Sequence, residues 1–178
     1  MTEPPPRPCP AAALQARFEA IWRGPMQGLP MLNPGLGVTA VGFGPFGEHW
    51  LGVLVTPWFM NLTLMPRVVQ HWQPIAERAS RHHVFPAGVF EFIGSRDPVL
   101  GDYQSCSLFS PMFEFADDAS AVATALAALD ALFDAGSREG STVPAAASVP
   151  ATLPAPAAGA LSKRDFLLGV PARGDRGA

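Results

Sequence analysis

Lysine is nearly absent from this chain. Lys163 is its one lysine, charged residues make up 15% of the 178 residues, and the formal net charge is −3. Proteins that bind nucleic acid cluster lysine and arginine on one surface to neutralise phosphates. The sequence therefore predicts no nucleic-acid partner, and its mildly acidic balance favours a cationic partner instead.

Long apolar segments are absent too. Glycine, proline, asparagine or threonine interrupts each apolar run well before the ~20 residues that cross a bilayer. Residues 1–6 read Met-Thr-Glu-Pro-Pro-Pro, without the basic and apolar pattern of an export signal. We therefore expect a cytoplasmic protein with no stable membrane insertion.

Sequence motifs that carry chemistry are equally sparse. The chain has no CxxC pair, no GxSxG, no HExxH and no glycine-rich phosphate loop. Its two cysteines, Cys9 and Cys106, are too few for a disulfide scaffold. Cys106 alternates with Leu108 on an apolar strand, which favours a small buried hydrophobe over a reactive thiol.

The four histidines, at positions 49, 71, 82 and 83, lack the spacing of metal ligands. His82 and His83 are adjacent, so they point in different directions on a helix or a strand. We predict no catalytic residue, no metal and no cofactor, and therefore no enzyme. An enzyme whose site is assembled from distant residues is the alternative that local motifs leave open.

Hydrophobic periodicity predicts an α+β domain over residues 11–135. A first helix spans residues 11–23, and a last helix is capped by Asp117 or Asp118. Pro74 is expected to open a short helix, because proline is tolerated in a first turn. The apolar stripe expected for the last helix is Val122, Leu126, Leu129 and Phe133.

Period-2 alternation predicts the strands between these helices. They cover residues 38–43, 49–56, 59–65, 89–93 and 103–108. Residues 49–56 are apolar on both faces, which places that strand in the middle of the sheet. The expected fold is an antiparallel sheet of about five strands packed with two main helices.

Composition separates further segments from this domain. Residues 1–10 form a disordered, proline-rich lead, and residues 136–160 form a low-complexity Pro/Ala tether that has too few large apolar groups to fold. Residues 161–170 return to a basic-then-apolar pattern and are expected to dock on the domain as a C-terminal arm. Residues 171–178 complete the chain as a disordered tail.

The most informative stretch is residues 56–66, Thr-Pro-Trp-Phe-Met-Asn-Leu-Thr-Leu-Met-Pro. It places Trp58 directly after the chain-reversing Pro57 and beside a strand that carries two methionines. Methionine is flexible and polarisable, so such a stretch is typical of an adaptable apolar binding surface. No comparably dense group of catalytic side chains occurs, and the sequence therefore favours a binding protein.

Four segments in this order resemble the HybE/HupJ/HoxT family of [NiFe]-hydrogenase assembly chaperones. They are Thr-Pro-Trp-Phe-Met at 56–60, Phe-Pro-Ala-Gly-Val-Phe-Glu-Phe at 85–92, Gly-Asp-Tyr-Gln-Ser-Cys-Ser-Leu-Phe-Ser-Pro-Met at 101–112 and Lys-Arg-Asp-Phe-Leu-Leu-Gly at 163–169. Two departures accompany the resemblance. The tether looks longer than is usual in the family, and the paired CxxC motifs of a rubredoxin-like protein are missing.

The resemblance implies a cytoplasmic accessory chaperone in the maturation of an uptake [NiFe]-hydrogenase. Its implied partner is the hydrogenase small subunit, a precursor that carries a twin-arginine signal and is bound before export. The large subunit or another maturation protein is the alternative partner. The alternative function is a cysteine-based redox or cluster-protection role that uses Cys106.

The predicted partner-binding residues lie in the apolar stretch and in the third matching segment with the residues that follow it. They are Thr56, Pro57, Trp58, Phe59, Asn61, Tyr103, Ser107, Ser110, Pro111, Met112, Phe113 and Glu114. In this hypothesis an apolar groove is lined by Trp58, Phe59, Met112 and Phe113. Its acidic rim is formed by Glu114, Asp117 and Asp118, whose carboxylates would receive two guanidinium groups.

The predicted arm has a resemblance of its own. Residues 162–168, Ser-Lys-Arg-Asp-Phe-Leu-Leu, are similar to the twin-arginine consensus Ser-Arg-Arg-x-Phe-Leu-Lys, with lysine in the first basic place. Held by the tether at high effective concentration, the arm would act as a pseudo-ligand of this groove. An ordinary edge strand is the plainer alternative.

Overall fold

The computed structural model describes residues 5–134, so the predicted tether, arm and tail lie outside the described residues. The described part contains α1 (Ala11–Arg23), β1 (Thr39–Phe46), β2 (His49–Val55), β3 (Met60–Pro66), a 3-10 turn (Val69–His71), β4 (Ser80–Phe85), β5 (Gly88–Asp97), β6 (Gly101–Phe109) and α2 (Asp118–Phe133). The predicted α+β class is confirmed. Neither α1 nor α2 is both long and apolar enough to cross a membrane.

The six strands form one antiparallel sheet in the order β1-β2-β3-β6-β5-β4. β2 lies between β1 and β3, and its residues 51–55 are all buried, as the prediction of a central strand requires. The sheet has six strands rather than the predicted five. The additional strand is β4, which pairs with β5 through a tight turn between Phe85 and Gly88.

β4 lies at the edge of the sheet and has a polar sequence, Ser-Arg-His-His-Val-Phe. Within residues 5–134 it pairs with β5 alone, and Val84 is 68% exposed. An edge strand with one neighbour can form without a continuous apolar face. Residues 80–85 therefore carry little of the alternation that reveals the other strands.

The short helix predicted at Pro74 is wrong. The Arg78 N–H donates to Gly94 O at 3.0 Å, and the Gly94 N–H donates to Ala79 O at 2.9 Å. The segment before β4 therefore bonds to β5 instead of to itself, and Arg78 has a φ of 67°, outside the helical range. This close approach requires glycine at position 94, because a Cβ there would lie 2.6 Å from Ala76 O.

The two helices cover opposite faces of the sheet. On one face α2 packs on side chains from β2, β3 and β6 to form the larger core. On the other face Leu14 and Phe18 of α1 pack with Leu54 and Met65 to form the smaller core. The β3 residues that the sequence places on the buried side enter the larger core: Met60, Leu62 and Leu64.

α1 spans the predicted residues and is tied to the turn between β5 and β6. Arg17 Nε donates to both carboxylate oxygens of Asp97, at 2.9 and 3.1 Å. Burial would raise the pKa of Asp97, but the N–H groups of Val99 and Leu100 and the Arg17 guanidinium together lower it. The ion pair therefore persists in the folded protein and fixes α1 over the smaller core.

The predicted disordered lead is bonded to the domain at Arg7. Its N–H donates to Arg67 O at 2.8 Å, and the Trp50 Nε1–H donates to Arg7 O at 3.1 Å. Arg7 therefore lies against the hairpin of β2 and β3. Residues 1–4 lie outside the described residues.

α2 begins at the predicted cap. Asp117 Oδ1 accepts the N–H of Ser120 at 2.8 Å, and the Asp117 N–H donates to Ser120 Oγ at 3.4 Å. These reciprocal hydrogen bonds form a capping box that satisfies free N–H groups at the helix start.

The buried face of α2 differs from the predicted stripe. The buried residues are Ala121, Ala125, Ala128 and Leu132. Val122 and Leu129 of the predicted stripe are partly buried against the larger core, whereas Leu126 and Phe133 are 46% and 47% exposed. Alanine has nothing beyond Cβ, so an alanine face lets the helix approach the sheet closely while larger side chains lie at its flank. Alanines contribute little to a hydrophobic pattern, and the predicted stripe of bulkier residues is therefore rotated away from the face of α2 that is most buried.

The rotation of α2 predicts different outcomes for two leucines. Leu132→Ala removes a side chain that is 1% exposed and should lower the free energy of unfolding by about 2–5 kcal/mol. Leu126→Ala removes a side chain that is 46% exposed and should lower it by less than about 1 kcal/mol. Urea unfolding followed by circular dichroism measures both. A loss for Leu126→Ala that equals or exceeds the loss for Leu132→Ala would contradict the observed rotation.

Candidate partner-binding surface

Thr56 forms the turn that follows β2. Its N–H donates to Phe59 O at 2.9 Å, and its Oγ1 accepts the N–H groups of Trp58 at 3.3 Å and Phe59 at 2.9 Å. Thr56 and Pro57 are both buried. These two predicted binding residues therefore shape the turn rather than offer a surface to a partner.

Asn33 joins this turn to two other segments of the chain. Its backbone N–H donates to Pro57 O at 2.8 Å, and its Nδ2 donates to Met112 O at 3.0 Å and to Phe115 O at 2.8 Å. Asn33 is 8% exposed, and buried carbonyls need such partners to offset the loss of water. We call the unit formed by Asn33, residues 56–59 and residues 112–115 the Asn33 junction.

Trp58 and Phe59 are half-buried against α1. The Trp58 ring lies 6.5 Å from the Phe18 ring, and the Phe59 ring lies 5.8 Å from it. Trp58 and Phe59 also contact each other edge to face at 5.5 Å. The orientation of Trp58 is therefore set by α1, and only part of its ring is open to a partner.

Phe113 is the most exposed of the predicted aromatic residues, at 58%. Its neighbour Met112 is fully buried, so the prediction that Met112 lines a groove is wrong; it anchors the turn in the larger core. Ser110 Oγ donates to Trp58 O at 3.4 Å, which makes the two turns neighbours. A depression of about 260 Å³ is lined by Leu108, Phe109, Ser110, Pro111, Phe113 and Glu114. We call these six residues the Phe113 surface.

Three exposed carboxylates follow Phe113 within five residues: Glu114, Asp117 and Asp118. Hydrogen bonds from the backbone and hydroxyl of Ser120 lower the pKa of Asp117. Asp118 Oδ1 accepts the N–H of Gly37 at 2.7 Å. The chain beside the Phe113 surface is therefore negatively charged near neutral pH, which would attract a cationic segment.

The remaining predicted residues lie on β3 and β6. Asn61 pairs with Ser107 across the two strands; Ser107 is exposed, whereas Asn61 is half-buried. Asn61 Oδ1 is buried without a hydrogen-bond partner in the described part of the chain.

Tyr103 pairs with Ser95 and lies four residues before Ser107, about 13 Å away along the strand. Tyr103 belongs to the smaller core, where burial raises its pKa, and the structure does not bring it to the Phe113 surface.

The sequence analysis did not assign the loop before β1 to the site. Met31 and Leu29 in this loop are 49% and 41% exposed, and Asn33 ties the loop to Pro57. Asn33 is separated from its side-chain partners by 79 and 82 residues, so no local pattern reveals the contact. The available signal was the pair of methionines, Met26 and Met31, in a loop that glycine and proline keep irregular.

Three of the four histidines converge, although their spacing does not predict it. His49, His71 and His83 line a cavity of about 200 Å³, together with Arg81 and other polar residues. His83 Nε2 lies 2.7 Å from Gln104 Oε1. Burial lowers the pKa of His49, and the positive charges that His83 and Arg81 can carry nearby lower it further. Residues 5–134 contain no group of three or more His, Cys, Asp or Glu side chains arranged to bind a metal ion.

Cys106 lies in the larger core and is 1% exposed. Its alternation with Leu108, which is 8% exposed, predicted this burial. Nucleophilic or redox chemistry needs a thiolate that reagents can reach. The location of Cys106 therefore favours a packing role.

Comparison with known proteins identifies related sequences. Residues 9–169 match the sequence profile of the family described as "[NiFe]-hydrogenase assembly, chaperone, HybE". The chain is 40% identical over 158 residues to "Hydrogenase expression/formation protein HupJ" of Bradyrhizobium diazoefficiens, covering 88% of this chain and 86% of that protein. It is 39% identical over 127 residues to "Probable rubredoxin HupJ" of Rhodobacter capsulatus, covering 71% of this chain but only 46% of that protein.

The fold has a counterpart among solved structures. The solution structure of HybE from Escherichia coli matches with a TM-score of 0.57 and 24% identity, over 88% of this chain and 98% of that chain. At this identity the match supports the α+β fold and carries no information on binding residues.

The Asn33 junction predicts a stability cost that Asn61, the other asparagine of the chain, does not share. Asn33→Ala removes both donors to Met112 O and Phe115 O and should lower the free energy of unfolding by about 1–3 kcal/mol. Asn61→Ala is the matched control, because it removes a buried oxygen that has no partner, and should cost less than about 1 kcal/mol. Urea titration of both variants provides the measurement. If Asn33→Ala unfolds at the wild-type midpoint, the junction does not stabilise the fold.

Proposed function

We propose that this chain, which belongs to the HybE family of [NiFe]-hydrogenase assembly chaperones, binds the twin-arginine signal of a hydrogenase small-subunit precursor in the cytoplasm before export. The observation that carries the proposal is the Phe113 surface, where an exposed apolar turn is followed by three carboxylates. A twin-arginine signal has the complementary composition, since it joins two guanidinium groups to an apolar segment.

The charged half of such a signal would meet the carboxylates. Guanidinium groups form charge-assisted and often bidentate hydrogen bonds with carboxylates, and these are stronger than bonds between neutral groups. The lowered pKa of Asp117 means that this carboxylate is ionised at neutral pH. Attraction between opposite charges would also speed the encounter and orient the peptide on the surface.

The apolar half of the signal would cover Phe113. Burial of a phenylalanine side chain contributes about 1.5–3 kcal/mol, and Phe113 leaves more than half of its surface open in the free protein. Met31 in the loop before β1 is also exposed, and a ligand that extended to this loop would meet a flexible side chain. Exposed apolar side chains of this size mark interaction surfaces when they cluster.

This role is one of holding a partner, and it makes no covalent bond. Two features hold the turn that carries Phe113. Asn33 donates to Met112 O and Phe115 O, and the Met112 side chain lies in the larger core. A preformed surface binds with a smaller loss of conformational entropy than a loop that orders on binding. The large subunit or another maturation protein is the alternative partner, and a free signal peptide separates the two possibilities.

Affinity for a synthetic signal peptide tests the proposal. Phe113→Ser should weaken binding at least tenfold, because it removes the exposed aromatic surface, and Glu114→Gln should weaken it less. Val84→Ser is the matched control: it changes a residue that is 68% exposed on the edge strand β4 and should leave the affinity unchanged. Isothermal titration calorimetry measures each dissociation constant.

The peptide itself supplies a second control. A variant with both arginines replaced by glutamine should bind more weakly to the wild-type protein, and the difference should shrink as salt concentration rises. Equal affinities of Phe113→Ser and wild type for the signal peptide would remove Phe113 from the site. Binding of the large subunit without any binding of the peptide would favour the alternative partner.

The alternative cysteine-based function predicts a reactive Cys106. Because Cys106 is 1% exposed and Cys9 is exposed, iodoacetamide should modify Cys9 in the folded protein within minutes and Cys106 far more slowly. Mass spectrometry of tryptic peptides over a time course measures both rates in one sample, and Cys9 serves as the internal control. Modification of Cys106 as fast as that of Cys9 would support the redox role.

A further inference from the structure

A second apolar depression lies between α2 and the hairpin of β1 and β2, and the proposed function does not use it. It has a volume of about 310 Å³. Its large or charged lining residues are Phe46, Leu51, Leu126, Leu129, Asp130 and Phe133. We call it the α2 groove.

The α2 groove exists because of the rotation of α2. Leu126 and Phe133 are 46% and 47% exposed, since alanines occupy the buried face of the helix. Leu129 packs over Gly42, whose φ is 63° and where a Cβ would lie 2.5 Å from Leu129 Cδ1. Phe46 stacks on the buried Phe85 at 5.1 Å and contacts Phe133 at 5.8 Å. Phe46 and Leu129 in the wall of the groove are therefore held by contacts within the domain.

The edge of β1 beside the groove is poorly suited to pairing with another strand. Its register shifts between Val41 and Gly44, and Pro45 has no N–H to donate. Bulges and prolines are features that protect sheet edges from further strands. An occupant of the α2 groove would therefore be held by side-chain contacts rather than by backbone pairing.

The chain itself contains a segment of suitable chemistry. α2 ends at Phe133, which lines the groove, and residues 135–178 follow it. Phe166 is the one aromatic residue in that part of the sequence, and Leu167 and Leu168 come directly after it. The family match extends to residue 169, so it includes this segment.

Charge and chain length also favour this occupant. Lys163 and Arg164 precede Phe166, and Asp130 provides a carboxylate in the groove. Residues 134–160 can extend to about 90 Å, far more than is needed for residues 161–170 to return to the end of α2. A covalent link of this kind gives a segment a high effective concentration at a nearby site.

We propose that residues 161–170 of the same chain occupy the α2 groove. The Phe166-Leu167-Leu168 side chains fill the space between Leu126 and Phe133, and Lys163 or Arg164 lies beside Asp130. This placement assigns the arm to the face that carries α2 and leaves the Phe113 surface open to a partner.

Photocrosslinking in the full-length chain tests the placement. A benzophenone amino acid at position 126 should crosslink within the same chain to residues 161–170, which mass spectrometry of the digested protein identifies. The same group at the exposed position 123 of α2, outside the groove, is the matched control and should give little of this product. Phe166→Ser changes the proposed occupant and leaves the residues of the groove unaltered, so it should reduce the crosslink at least fivefold.

Four results would overturn the placement. The first two are the absence of an intrachain product from position 126 and an unchanged yield of that product in Phe166→Ser. The third is a crosslinked dimer in place of the intrachain product. The fourth is efficient crosslinking of residues 161–170 to a benzophenone at position 113 instead. The dimer would show that a second copy fills the groove, and the last result would make the arm a ligand of the Phe113 surface. None of these outcomes depends on which partner the Phe113 surface binds.

Discussion

The Asn33 amide donates to the carbonyl oxygens of Met112 and Phe115, while the Asn33 backbone N–H donates to Pro57 O. These three hydrogen bonds connect segments that are far apart in the sequence and lie just beyond the last paired residues of β3 and β6, Met60 and Phe109. In a buried position, each of these carbonyls would otherwise lose its water without compensation. The turn that carries Phe113 and Glu114 is held by this junction, whereas Leu108 and Phe109 of the same surface belong to β6, which pairs with β3.

A chaperone must display apolar side chains without losing its own fold, and the structure separates the two tasks residue by residue. Met112 is fully buried while the adjacent Phe113 is 58% exposed, and Thr56 is fully buried while Trp58, two residues later, is partly open. The buried member of each pair stabilises its turn, and the exposed member leaves apolar surface open to solvent. Cys106 is likewise buried in the larger core, so its side chain contributes to packing and is not displayed at the surface.

Local signals in the sequence were sufficient for much of the fold. The first helix lies over the predicted residues 11–23, and Asp117 gave the start of α2. Features that depend on distant partners were not predictable: β4 is a polar edge strand defined by its pairing with β5, and the contacts of Asn33 span about 80 residues. The predicted binding residues do not all lie together, because burial of Met112 and the separate location of Tyr103 result from packing that periodicity does not encode.

The rotation of α2 connects that limit of sequence analysis to the surface of the molecule. A pattern weighted by side-chain size places Leu126 and Phe133 in the core, but alanine at position 125 permits a closer approach to the sheet. The larger residues are then left at the flank of the helix, where they meet Phe46 and form a groove. The small residues at the helix–sheet contact therefore allow a tighter core, and they also leave apolar surface at the flank of the helix. A ligand or another part of the chain that covers this surface removes apolar area from water, and this gain in free energy favours an occupant.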